Sequence, residues 1–236
     1  MENKWKSIWE SRRIDESLIG SADTDSLFLE LKRCNGFDVL DGGIPLESLK
    51  LQYAVTRDKL LQYAPKARSV YEVGCGSGAN LLLFEKDGWT TGGLDYSGAL
   101  VDIARRVLKS EDLSCAEAGA VSEEPQYDCL LSNSVFSYFP DYDYAEGVLE
   151  KMCRKARYAL TLIDIHDSEK KDGFIAYRKA EIADYEERYR GLPKLFYDKA
   201  FFESFARRRG LHIEFFDCDM KGYWNNRFVF HTVMYR

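Results

Sequence analysis

The sequence predicts a doubly wound, Rossmann-like α/β fold whose last strand runs antiparallel to the rest. Three observations carry that expectation. From Ser69 onward, short β-branched or aromatic runs alternate with amphipathic helices, the pattern of βαβ units building a parallel sheet covered on both faces. The first of those runs ends in the glycine-rich turn GCGSG, which leads into a helix. The final two strands, LHIEFFDCD and RFVFHTVMYR, are separated only by MKGYWNN, too short for a crossover helix, so the last strand must reverse.

The elements follow in order. Trp5, Ile8 and Trp9 fall at helical spacing. Leu27, Leu29 and Leu31 lie in a run stopped by Asn35-Gly36, and Glu47 to Tyr63 forms a third helix closed by Pro65. Residues 1–67 are thus expected to be an N-terminal helical cap. The main domain, 68–236, reads as strand SVYEVG, helix SGANLLLFEKDG, strand WTTGGLD, helix GALVDIARRVLKS, short strand LSCAE, strand YDCLLSN, helix YAEGVLEKMCRKA and strand YALTLIDI. An insert at 168–197 precedes the helix DKAFFESFARRRG. Its tyrosines and arginines, Tyr177 and Arg178 among them, fit either a solvated amphipathic helix or a lid over a substrate.

Composition narrows the function classes. With 236 residues and 45% hydrophobic content, the chain suits one sizeable core with an accessory element. A net charge of −6 repels a polyanion, so no nucleic-acid partner is expected. No run approaches the ~20 apolar residues of a membrane helix, and a monomer or homodimer with no membrane partner is expected. The six cysteines are scattered without a C-x-x-C pair and the start MENKWKSIWE lacks a signal peptide's apolar core, which points to a reduced, cytoplasmic protein. The histidines His166, His212 and His231 show no ligand spacing, and no metal is expected.

The turn Gly74-Cys75-Gly76-Ser77-Gly78 lies where open parallel sheets bind ligands, at a strand's carboxyl end and a helix's positive end. Two cofactors fit it. Gly74, Gly76 and Ala79 satisfy the dinucleotide pattern G-x-G-x-x-G/A, with Asp95 placed as the ribose-binding acid. Glu72, two residues before the first glycine, suits an ammonium group and has no use beside a pyrophosphate. The C-terminal antiparallel pair also departs from a dinucleotide domain.

Taken in order, EVGCGSGAN, GLDYS, AEA and YDCLLSNSVFSYFPD resemble the motif series of class I S-adenosylmethionine-dependent methyltransferases, from about residue 68 to the end. The resemblance implies a seven-stranded mixed sheet and S-adenosyl-L-methionine as cofactor. It implies that Glu72, Gly74, Gly76 and Gly78 hold the methionine part, with Cys75 contributing backbone. Asp95 would hold the ribose hydroxyls, Tyr96 would pack on the adenine, and Glu117 with Ala118 would read the adenine edge. Ser132 and Asn133 would end a strand beside the donor methyl, and Tyr138 close by is expected to meet the substrate.

The acceptor side is read from position. His166 in LIDIHD follows the fifth strand at the sheet's carboxyl edge, and its ordinary pKa of about 6.5 suits a general base. A hydrogen-bonded strand terminus beside Asp164 and Asp167 explains it equally. Tyr223, Trp224 and Asn225 in the KGYWNN turn are expected to line the acceptor site with Tyr177 and Arg178. The chain's texture is similar to small-molecule methyltransferases of bacterial surface-carbohydrate pathways, which implies O-methylation of a sugar-like or phosphorylated acceptor. A nicotinamide-dependent oxidoreductase and an idle cofactor-binding subunit are the alternatives.

Overall fold

Strand β1, Ser69–Val73, occupies the centre of the molecule because both its faces are covered by helices. In the computed structural model, which describes residues 4–37, 39 and 43–236, it pairs in parallel with β2 (Thr90–Asp95) on one side and β4 (Tyr127–Asn133) on the other. Beyond β2 lies β3 (Leu113–Cys115); beyond β4 lie β5 (Ala156–His166), β7 (Val229–Tyr235) and β6 (His212–Phe216). The seven-stranded sheet therefore runs β3-β2-β1-β4-β5-β7-β6. Strand order reverses between β1 and β4, which puts the glycine turn at the switch point.

β7 is antiparallel to both β5 and β6, as the sequence predicts. That connection is not a tight hairpin turn. Residues 217–228 link the strands, and Trp224–Phe228 winds into a 3-10 turn. Trp224 and Phe228 pack against Phe174 and Tyr177 of the insert, so apolar burial rather than turn geometry shapes the segment.

One face of the sheet carries helices α2 (Thr24–Cys34), α3 (Leu46–Tyr63) and α4 (Ala79–Lys86). Leu31, Leu49 and Leu60 share a core with Val70, Leu131 and Val233. The first helices thus complete the sheet's sandwich and have no core of their own. Helix α1 (Lys4–Glu10) differs, and docks through Glu10, whose carboxylate accepts the N–H groups of Gly98 and Ala99 at 2.9 and 3.1 Å. Those are unsatisfied first-turn donors of α5 (Gly98–Val107), where an anion is also favoured by the helix dipole.

The opposite face carries α6 (Tyr142–Lys155) and α9 (Lys199–Arg209), each started by an aspartate, Asp141 or Asp198, that caps its first turn. Between β5 and α9 the insert holds α7 (Lys171–Glu181) and a short α8 (Tyr185–Arg188). No helix among the described residues is long and apolar enough to cross a membrane.

Candidate active site

A cavity of about 850 Å³ opens at the carboxyl ends of the central strands. Its floor begins at Glu72, the fourth residue of β1, whose Oε1 accepts a 2.6 Å hydrogen bond from Asn80 Nδ2. Asn80 in turn accepts from Lys32 Nζ at 2.9 Å. Glu72 Oε2 is buried and has no hydrogen-bond partner among the described residues. Burial pushes the Glu72 carboxyl up, with Asn80 and Lys32 opposing, and pushes the Lys32 ammonium down, with Glu72 opposing. A carboxylate with one vacant oxygen and an ammonium, both on the cavity wall, are complementary to the two charges of an amino acid.

The glycine turn wraps this floor. Gly74 N–H and Cys75 N–H both donate to Leu94 O, at 2.8 and 3.0 Å, which folds the turn against β2. Gly74 and Gly76 have φ of 79° and 53°, a region that L side chains resist. A Cβ would lie 2.2 Å from Val135 Cγ2 at the first and 2.4 Å from Asn35 Oδ1 at the second. Asn35 also accepts Ser77 N–H and Oγ, both at 2.8 Å, so the end of α2 fastens the turn.

At the end of β2, Asp95 accepts Gly76 N–H on Oδ2 and Ser97 N–H on Oδ1, each at 2.9 Å. Burial pushes its carboxyl up to about 6, opposed by those two amides. Each oxygen keeps a lone pair for a ligand hydroxyl. Tyr96, Glu117 and Ala118 continue the wall from there, and on the other side of the turn Asn133 and Ser134 face the same space.

Two elements cover the cavity. Trp5 and Trp9 of α1 meet the ring of Tyr138 edge-on at 4.9 and 5.9 Å, and Tyr138 lies on the wall. Trp5 Nε1 donates to Pro193 O and Lys4 Nζ to Arg190 O, both at 3.1 Å, joining α1 to the insert. Lys194 Nζ lies 3.4 Å from the centre of the Tyr138 ring. Burial, with Arg178 adding repulsion, pushes that ammonium down to about 7.

Glu72, Gly74, Gly76, Asp95, Tyr96, Glu117, Ala118, Asn133 and Tyr138 thus meet around one cavity. Cys75, Gly78 and Ser132 lie behind the wall. Gly78 packs on Leu108, Ser132 Oγ donates to Val73 O at 2.9 Å, and burial pushes the Cys75 thiol up, away from reactivity. Tyr177, Arg178 and Trp224 stack on one another under the insert, with Tyr177 and Trp224 centroids 5.3 Å apart. They lie off the wall because their apolar faces satisfy each other.

His166 also lies off the wall. Its ring packs on Phe174 and Phe196, 4.9 and 5.2 Å between centroids, and its Nε2 accepts from Asn225 Nδ2 at 3.2 Å. Burial, then Lys194 and Arg178, push it down to about 3, so the ring is neutral at ordinary pH. It still reaches the cavity through hydrogen bonds. Asn225 Nδ2 donates to Tyr223 OH at 3.3 Å, Tyr223 OH donates to Asp164 Oδ2, and Ser134 Oγ donates to the same oxygen at 2.8 Å.

Lys32, Asn35, Asn80, Trp5, Ser134 and Asp164 were not singled out as site residues by the motifs. Only the proximity of SNSV to the fourth strand's end, and of LIDIHD to the fifth's, carried any sign of the last two.

Residues 71–168 match the family described as "Methyltransferase domain". Among curated proteins, the probable non-canonical nonribosomal peptide synthetase CymA of Salinispora arenicola (strain CNS-205) is 30% identical over 118 residues, 46% of this chain. The chain spans about 2% of the length of that relative. Among solved structures, the plantazolicin methyltransferase BpumL, in complex with a triazolic analog and SAH, aligns over 100% of this chain and 99% of its own at 14% identity, with a TM-score of 0.63. SAM-bound CalS10, an amino pentose methyltransferase from Micromonospora echinaspora, aligns over 78% of this chain and 90% of its own at 13% identity and a TM-score of 0.60. The magnesium protoporphyrin IX methyltransferase ChlM from Synechocystis PCC 6803 aligns over 92% of this chain and 98% of its own at 11% identity and a TM-score of 0.57. These three show the shared fold. The sheet order, the glycine turn and the charged floor agree with the match of residues 71–168 to the methyltransferase-domain family.

Proposed function

We propose that this chain transfers a methyl group from S-adenosylmethionine to an oxygen of a small-molecule acceptor that is sugar-like or phosphorylated. The observation that carries the reading is the double cover, in which α1 and the insert are hydrogen-bonded to each other above the cavity through Trp5 and Pro193. A chamber roofed in this way suits a small acceptor and keeps water from the reacting groups. Bound S-adenosylmethionine supplies a methyl group on a positively charged sulfur. The chain's part is to align the two reactants at near-contact distance.

In this reading Glu72 Oε2 takes the cofactor's ammonium and Lys32 its carboxylate. Asp95 receives the ribose hydroxyls, Tyr96 packs on the adenine, and Glu117 with Ala118 reads its edge. Asn133 and Ser134 lie where donor and acceptor meet. The vacant Glu72 oxygen favours a zwitterion over a pyrophosphate, which speaks against the nicotinamide alternative. An idle subunit would be marked by a cavity blocked by Trp224, and Trp224 packs instead on Tyr177. The fold shared with CalS10, an amino pentose methyltransferase, is in keeping with a sugar-like acceptor. Lys194, whose ammonium lies on the ring of Tyr138 at the wall, suits a phosphorylated one.

Incubating the protein with methyl-labelled S-adenosylmethionine and the small-metabolite fraction of a bacterial extract tests this. Label on a sugar-like or phosphate-bearing compound through oxygen is expected. A protein that binds NADH and ignores S-adenosylhomocysteine in calorimetry would sink the reading.

A further inference from the structure

Two non-glycine residues with left-handed backbone meet at the carboxyl edge of the sheet: Ser134, just after β4, with φ 60°, and Asp164, within β5, with φ 63°. Each such residue is strained and persists only where its surroundings impose it. At Asp164 the β5–β7 register shifts between Leu162 and Ile165, and the Asp164 N–H donates to His231 Nδ1 at 2.9 Å. Irregularities of this kind re-aim a side chain out of the alternation of a strand.

The re-aimed carboxylate is buried, at 3% exposure, beside the cavity. Oδ2 accepts the hydroxyls of Ser134 and Tyr223, while Oδ1 has no partner among the described residues. A buried carboxylate oxygen left vacant is expensive, so a fold that keeps one alongside two strained residues has a use for it. Ser134 lies on the cavity wall, next to Asn133. The pair therefore joins the chamber to a buried proton acceptor by one hydrogen bond.

The geometry points to Ser134 and Asp164 as the unit that receives the acceptor's hydroxyl and takes up its proton. This rests on the O-methylation reading above. As the acceptor oxygen's lone pair forms the new C–O bond, the donor's C–S bond breaks with its electron pair left on sulfur. The acceptor's proton passes to Ser134 Oγ while the serine's own proton passes to Asp164 Oδ2. Ser134 is the catalytic residue by this account, since it touches the substrate, and Asp164 acts through it. Tyr223 donates to the carboxylate and is held by Asn225, which also binds His166. His166 is then a positioning residue, three hydrogen bonds removed from the carboxylate.

The test uses the full chain as wild type, S134A, D164N and Y223F, with the small-metabolite extract as acceptor source and S-adenosylhomocysteine as the binding probe. Asparagine keeps the aspartate's size and tolerates left-handed backbone, and Y223F provides a second route should D164N not fold. S-adenosylhomocysteine affinity is expected to stay within about threefold in all variants. Turnover of the labelled product's parent compound should fall about 100-fold or more in D164N and S134A, in kcat rather than KM, and about tenfold in Y223F. Unchanged kcat in S134A and D164N, or in Y223F where D164N does not fold, overturns the inference. A wild-type protein that binds S-adenosylhomocysteine but labels no oxygen would overturn the O-methylation reading and this proton route with it, a failure visible without any variant.

Discussion

Glu72 accepts a 2.6 Å hydrogen bond from Asn80 on one carboxylate oxygen and leaves the other buried and vacant at the cavity floor. An ammonium placed there gains a charge-assisted bond to an oxygen that has no other partner among the described residues. E72Q keeps the shape and the bond to Asn80 but removes the charge. S-adenosylhomocysteine should bind about 10- to 100-fold more weakly to it, measured by calorimetry. Unchanged affinity would mean that the ammonium lies elsewhere.

The glycine turn is held by contact as much as by backbone freedom. A side chain at Gly76 must displace Asn35, with its Cβ 2.4 Å from Asn35 Oδ1, while holding φ at 53°. G76V should lose S-adenosylhomocysteine binding by more than about 100-fold. Gly88, at φ 80° with nothing within 4 Å of an added Cβ, serves as the control. G88A carries the same kind of backbone strain far from the turn, and its binding should match wild type.

The cover of α1 and the insert predicts a kinetic effect. W5A removes the indole bond to Pro193 O and an edge contact with Tyr138. Those contribute about 1–2 kcal/mol, so S-adenosylhomocysteine should leave roughly tenfold faster in stopped-flow displacement, with secondary structure unchanged. An unaltered off-rate would show that α1 does not close the chamber.

The neutral ring of His166 makes stability depend on pH in a definite direction. Its folded pKa is pushed down to about 3 from the ordinary 6.5. Between those values the unfolded chain holds a proton that the folded chain lacks. Stability is therefore complete above 6.5 and falls as pH drops towards 3, by about 1.4 kcal/mol per pH unit from this residue. In urea unfolding, wild type should lose about 2 kcal/mol more than H166N between pH 7 and pH 5. Equal losses would mean that the folded ring takes a proton readily, which would return it to contention as a base.

The doubly wound sheet, its antiparallel last strand, the glycine turn and Asp95 were all legible in the sequence, because each rests on local facts. Strand and helix periods are read within a few residues, and the seven residues expected between the last two strands pointed to a reversal, although the link observed is longer, 217–228. Lys32, Asn35 and Trp5 carry no such mark. Their places come from contacts spanning 48 residues for Lys32 with Asn80, 42 for Asn35 with Ser77 and 188 for Trp5 with Pro193. The acceptor side shifted for the same reason. His166 and Trp224 look like site residues by position along the chain, but apolar burial under α7 draws both away from the wall, and a register shift in β5 turns Asp164 towards Ser134 instead. The sequence by itself determined the fold and the place of the glycine turn, Glu72 and Asp95 at the carboxyl ends of the central strands. Which other groups come to the cavity was decided only by tertiary packing, since a one-residue irregularity in a strand reverses the faces of its side chains and leaves no trace in composition or period.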